Sequence, residues 1–313
     1  MTVQDLLGAV FNIALVLMIV ATMVSAGFTT TFAAIGSVLS RWSLLIMVLG
    51  TALVLRPLLG WGLGELFSVD EKSFIAIILL ASVAGAPLGV KFVMSAGGNL
   101  TTGAVLQVML AVVGSFTFAP TANLIIGAAD LGDDVSLPVA DLIKTIVFLQ
   151  IVPFVVGLLI RHWDEKNALE WNEYAKKISG PAFLVVVVMA LLGSFQTIID
   201  LLGDRVLLAG VIFPVVMIAL GYFISSGSYE TKAATAMIQP GSNSGPAFAA
   251  VAIAFNNDAE ILGAMTVLIF SQIVVAAPIG SWMGANLAPE VEGGEGAGGD
   301  GSGAEAAGVE AGA

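Results

Sequence analysis

Long apolar runs, punctuated by short polar or Gly/Pro-rich stretches, fill the first 287 positions of the chain. Their length suits helices that cross a bilayer rather than strands or soluble core helices. Bounded by glycine, proline and charge, the runs predict nine helical spans. These lie at about 6–27, 41–66, 72–95, 100–128, 138–161, 178–200, 205–224, 231–256 and 259–286. Asn99 and Asp258 stand where their side chains can cap the helices that follow. Two of the runs are broken internally, by AGAPLGVKF (84–92) and by QPGSNSGPAF (239–248).

The breaks are spaced alike in the two halves. Pro57, Pro87, Asn99 and Pro120 follow one another at separations of 30, 12 and 21, and Pro214, Pro246, Asp258 and Pro278 at 32, 12 and 20. Irregular backbone at membrane depth survives only where protein or a polar cavity serves its freed N–H and C=O groups. Paired interrupted segments in corresponding halves mark the binding site of a secondary transporter. The expected fold is an all-α polytopic membrane protein with an inverted repeat and two broken crossing helices.

Composition agrees. Of 313 residues 58% are hydrophobic and 11% charged, with a mean hydropathy of +1.00. Residues 1–287 read as one transmembrane domain. Residues 288–313 read as a disordered Gly/Ala/Glu tail whose six acids and absent bases account for half of the net charge of −12. Acid-rich loops with little lysine point to a salt-adapted prokaryotic source. The first apolar run has no basic region before it and is too long for a cleaved leader, so it reads as the first span.

Basic residues set the orientation. Arg161, Lys166, Lys176 and Lys177 crowd the polar stretch 161–177, and Arg41, Lys91 and Lys232 fall at the same side. The positive-inside rule makes that side cytoplasmic, with the N-terminus outside and the tail inside. The break around Pro87 then runs inward and the break around Pro246 outward, so charge and spacing both predict an inverted repeat.

The candidate chemistry sits at the breaks. Lys91 lies four positions after Pro87 in an apolar stretch, either as a functional charge beside the break or as a side chain snorkelling to the interface. Ser242, Asn243 and Ser244 lie between Pro240 and Pro246, where helix N–H groups suit an anion and an amide can both donate and accept. Gln107 and Gln272 lie inside the spans after the breaks, with Ser115 and Thr117 beside the first, and Asn12, Gln150 and Gln196 are weaker amide candidates. Gly85, Gly89, Gly97 and Gly98 permit unwinding or close packing.

Other chemistry is excluded or disfavoured. With no cysteine there is no disulfide or thiolate metal site, and the single histidine, His162, sits in a polar loop. No phosphate-binding glycine loop, HExxH motif or nucleophile elbow appears. Neither an enzyme, a bound cofactor nor nucleic-acid binding is expected.

The stretch ASVAGAPLGVKFVMSAGGNLTTGAVLQVMLAVV with FAP ending at residue 120 resembles the first core block of the bile acid:sodium symporter superfamily, and SNSGPAFAAVAIAF with DAEILGAM (242–265) resembles the second. The likeness runs from about residue 10 to 285. It implies a panel domain and a core domain, broken helices crossing in the core, and transport of organic anions, often with sodium. Asn243 matches the amide used near the crossing, and Gly98–Asn99 stands where the family keeps Gly-Asp.

The chain departs from that pattern. Lys91 stands where sodium-coupled members keep Ser or Asn, Gln107 where they often keep Thr, and Ile238 and Gln239 where a glutamate is expected. The expectation is therefore a secondary carrier of small organic anions, sodium being the possible coupling ion. An alternative puts the Lys91 ammonium in the ion's place, giving a proton-linked or uncoupled carrier of monocarboxylates; a channel-like permease is a further one. Arsenite permeases are disfavoured by the absent thiol. The substrate and the oligomeric state are open. The site set is Lys91, Asn243, Ser242, Ser244, Gln107, Pro87, Gly89 and Asn99.

Overall fold

The computed structural model describes residues 3–86, 88–131, 136–193, 199–201 and 203–287, and all regular structure among them is helical. Pro87, Gln196 and the tail 288–313 lie outside the described residues. In chain order the helices are α1 (Val3–Thr29), α2 (Phe32–Leu39), α3 (Trp42–Phe67), α4 (Glu71–Ala81), α5 (Gly89–Ser95) and α6 (Leu100–Ala128). They continue with α7 (Val139–Trp163), α8 (Glu165–Gly193), α9 (Arg205–Ile224), α10 (Tyr229–Ile238), α11 (Ser244–Ala254) and α12 (Ala259–Asn286).

Six helices are long and apolar enough to cross a bilayer: α3, α6, α7, α9, α12 and the Ala9–Thr29 part of α1. Helices α4, α5, α10 and α11 are too short to cross alone, because the predicted runs 72–95 and 231–256 are each split in two. Asn99 and Asp258 cap α6 and α12 as expected, Asn99 Oδ1 accepting from Thr102 N at 2.8 Å and Asp258 Oδ1 from Glu260 N and Ile261 N. Helix α8 differs from expectation. Residues 165–177, read as loop, are its first turns. They are capped by Asp164, which accepts from Asn167 N, laced by the Glu173–Lys176 pair, and buried on one narrow face through Ala168 and Ala175 beside Phe28, so a largely polar sequence holds helix.

Two prolines reshape their helices. A π-turn at Thr51–Leu55 precedes Pro57 in α3, and another at Val147–Ile151 precedes Pro153 in α7. Proline donates no N–H and crowds the preceding turn, and the wider turn absorbs the mismatch. Each π-turn delivers a polar residue to the interior, Arg56 just after the first and Gln150 within the second.

Helices α1, α7 and α8 pack together as one unit. Gly27 and Gly157 bring α1 and α7 backbone to backbone, since a Cβ at Gly157 would meet Val24 O at 2.5 Å. Ser25 Oγ donates to Asn172 Oδ1 at 2.6 Å, and Phe28 meets Trp171 edge to face, tying α8 to α1. The other helices form the second unit. Its apolar interior is built from α4, α6, α9 and α12, with Ile78, Leu79, Leu80, Phe118, Met217 and Met265 fully or almost fully buried. These two units correspond to the expected panel and core.

Within the core, α4–α5 and α10–α11 run antiparallel. At one end Lys72, in the first turn of α4, pairs with Asp258 and Glu260 beyond α11. At the other, Asn99 N beyond α5 donates to Glu230 O at the start of α10. The repeat is inverted.

Candidate functional site

Both broken pairs cross at their breaks. Asn243 N, in the second break, donates to Val83 O in the first at 3.3 Å. Small residues allow this approach. A Cβ at Gly241 would lie 2.7 Å from the Ala86 Cβ, and one at Gly89 would lie 3.3 Å from Ile238 Cα. Gly85 turns the first break with φ +88°, and its missing side chain leaves room for the backbone of Ala111.

The freed backbone groups are served by side chains from the helices that follow each break. Gln107 in α6 donates its Nε2 to Gly85 O at 3.0 Å. Gln272 in α12 accepts from Ser242 N and donates to Ser242 Oγ, both at 3.0 Å. Ser242 Oγ in turn donates to Leu80 O at 2.9 Å, which links the second break to the end of α4.

At the centre lies Arg56, fully buried and the only charged side chain that is buried among the described residues. Its Nη1 donates to Val83 O at 2.5 Å and Ala81 O at 3.3 Å, and its Nη2 to Ser242 Oγ at 2.7 Å. The guanidinium carbon also sits 5.3 Å from the centre of the Phe213 ring. Arg56 thus holds both breaks at once. Its oxygen partners include carbonyls at the C-terminal end of a half-helix, where the dipole favours a cation. Arg56 Nε, Ser82 Oγ and Gln239 Oε1 are buried without a hydrogen-bond partner, groups that gain from a rearrangement of the crossing.

The panel reaches this point through Gln150, whose Oε1 accepts from Asn243 Nδ2 at 3.3 Å. Ser115 Oγ lies 3.5 Å from the same oxygen but commits its hydrogen to Ala111 O at 2.7 Å. Gly245 packs against Ile19 of α1, and Phe248 meets Phe11 edge to face. The second break therefore faces the panel.

Of the sequence candidates, Ser242, Asn243, Gln107 and Gly89 gather at the crossing, and Ser244 opens α11 beside them half-buried. Gln272 and Gln150 join them. Pro87 lies outside the described residues. Asn99 is at the far end of α5, a helix cap. Lys91 is exposed on α5, one turn before its end, and Asn12 is exposed on α1. The cation at the crossing is Arg56, which the sequence reading passed over. Its signal was available, an arginine in the middle of an apolar run and immediately before Pro57.

An inverted pair of broken helices, held at a buried polar crossing against a separate panel, defines a multi-pass membrane protein built as a transporter. The chain belongs to the sodium bile acid symporter family, whose sequence pattern matches residues 14–201. That match takes in the first break and most of the panel, while the second break lies beyond it. No individual curated protein matches the chain.

The family name implies sodium, and the residues at the crossing do not fit it. Ala81 O, Val83 O and Ser242 Oγ, the kind of oxygens that hold an alkali ion at a broken helix, receive guanidinium N–H groups instead. Gln272 Oε1 and Gln150 Oε1 receive N–H groups as well. None of the buried polar side chains among the described residues is a carboxylate. The two unpartnered oxygens, Ser82 Oγ and Gln239 Oε1, fall short of an ion's shell.

Proposed function

We propose that this chain is a secondary carrier of small organic anions that works by alternating access, its panel and core moving against each other around the crossing. The observation that carries this reading is the hydrogen bond from Asn243 N to Val83 O, which joins the breaks of two antiparallel repeats next to the panel. Two short half-helices meeting at a point can open towards either face with little change in their own structure. A channel reading is less well supported, because the polar groups at the crossing are buried and bonded to one another rather than lining an open path.

An anionic substrate is favoured by the charge balance. Arg56 brings a net positive charge to the crossing, where its guanidinium donates to three neutral oxygens, Ala81 O, Val83 O and Ser242 Oγ. Asn243 and Gln150, one from each unit, are the amides that would read a carboxylate or its neighbouring groups when the units part. Residues 1–287 form one membrane domain of nine passes, with α4–α5 and α10–α11 each counting as one. The end carrying Arg41, Lys91, Arg161 and Lys232 faces the cytoplasm, which places the N-terminus outside.

The test is uptake of radiolabelled small mono- and dicarboxylates into liposomes containing the purified protein. A carrier saturates and is accelerated by unlabelled substrate on the far side. Flux that rises linearly with concentration and ignores the far side would contradict the proposal.

A further inference from the structure

We infer that Arg56 is a tethered cation standing where a coupling sodium ion would have to bind, and that transport by this chain runs without sodium. The inference rests on the carrier reading and concerns its energy source. Three observations converge on it. The guanidinium is wholly buried, and it contacts the carbonyl of Ala81 at the end of α4, that of Val83 in the first break, one hydroxyl of the second break and the Phe213 ring face. Carbonyls from an unwound segment and a half-helix C-terminus are the oxygens a broken-helix transporter offers to an alkali ion. Here those oxygens already face a positive charge that is covalently fixed and cannot leave.

A neutral role in packing does not explain an arginine at this position. A charge at the centre of a membrane helix is costly to insert, and an amide could bond the same carbonyls without it. What the guanidinium adds is permanent charge between the breaks, the property a bound ion would supply only when present. Both repeats are then held together in every sodium concentration. A second cation at the same oxygens would meet a like charge within a few ångströms in a low dielectric, which is strongly unfavourable.

The experiment measures binding of radioactive sodium to the purified full-length protein, and uptake in sodium against choline chloride. For the wild type we expect no saturable sodium binding and an uptake ratio between the two salts near unity. Arg56→Ser frees the carbonyls and is expected to gain saturable sodium binding that unlabelled sodium displaces and choline does not. Arg56→Lys keeps a fixed charge and is expected to stay indifferent to sodium. Saturable binding to the wild type, sodium-stimulated uptake by the wild type, or a folded Arg56→Ser that gains no binding would each overturn the inference. Where Arg56→Ser unfolds in choline, its recovery in sodium supports the inference. If it does not recover, the decision falls to the wild type and Arg56→Lys, where sodium stimulation of either overturns it and indifference of both supports it. If wild-type liposomes take up no anion in either salt, the carrier reading fails, while the binding result still stands by itself.

Discussion

At the scale of single residues, the crossing is a set of backbone groups that lost their helical partners and found side chains instead. Gln272 carries two of these bonds to Ser242 and has no exposed alternative. Gln272→Leu leaves a buried N–H without an acceptor, and we expect thermal unfolding in detergent to report a loss of about 1–3 kcal/mol. Thr117→Val, which removes only a bond to Val113 O within the same helix, should stay within about 0.5 kcal/mol. Arg56 and Lys91 make the sharper contrast. Arg56→Met takes the side-chain donor from Ala81 O and one of several partners from Val83 O and Ser242 Oγ, which keep Asn243 N, Leu80 O and Gln272, and should cost about 1–3 kcal/mol. Lys91→Gln alters an exposed side chain and should leave both stability and transport near wild type. A Lys91→Gln protein that loses transport would return that residue to the site.

These residues also show what a sequence can and cannot display. Ser242 and Asn243 were legible because a polar run between two prolines inside an apolar span needs a reason. Spacing singles out Lys91 and not Arg56, although both are bases in apolar text. Depth decides between them: Lys91 is one turn from the end of α5, whereas Arg56 follows a π-turn that aims it at the breaks. Linear spacing does not reveal a π-turn. Gln150 was underweighted for the same cause, since its inward direction depends on the wider turn before Pro153.

At the scale of elements, the breaks depend on glycine and on caps. Gly85 has φ +88°, and a Cβ there would sit 2.6 Å from Ala111 N. Gly85→Ala combines left-handed backbone strain with a clash against backbone, and should destabilise by about 2 kcal/mol or more. At the other end of α4, Asp258 caps α12 and bonds Lys72 at 2.9 Å. Partial burial pushes the Asp258 carboxyl up, but the bonds from Lys72, Ile261 N and Glu260 N outweigh it and hold the group below the usual carboxylate range. A carboxyl lowered by folding stabilises above its unfolded value, and that contribution is lost as pH falls through the lower folded value. Asp258→Asn keeps a capping side chain but should flatten this part of the acid limb, seen as a smaller drop in unfolding temperature between neutral and acidic pH. An unchanged acid limb would remove Asp258 from the account.

At the scale of the whole molecule, the inverted repeat was legible twice over, from the matching proline spacings and from the placement of lysine and arginine. Both signals arise from the membrane, which forbids unserved backbone and biases charge in loops. The division into panel and core was not legible from spacing, because it depends on which glycine faces meet. Gly27 with Gly157 seals α1 to α7, while Gly89 and Gly241 let the breaks approach each other. Helix α2 and the helical start of α8 were also unreadable as such, being too short or too polar to stand out in hydropathy.

Contact between the two breaks underlies the fold, the proposed carrier mechanism and the proposed role of Arg56 alike. Because the chain has no cysteine, the pair Ala86→Cys and Gly241→Cys would carry its sole thiols. A Cβ at 241 would lie 2.7 Å from that of residue 86, so opening by about 1 Å reaches disulfide geometry. In native membranes under mild oxidation, the double variant is predicted to form an intramolecular disulfide in high yield. A folded double variant whose thiols stay free, or cross-link only between molecules, would contradict the account.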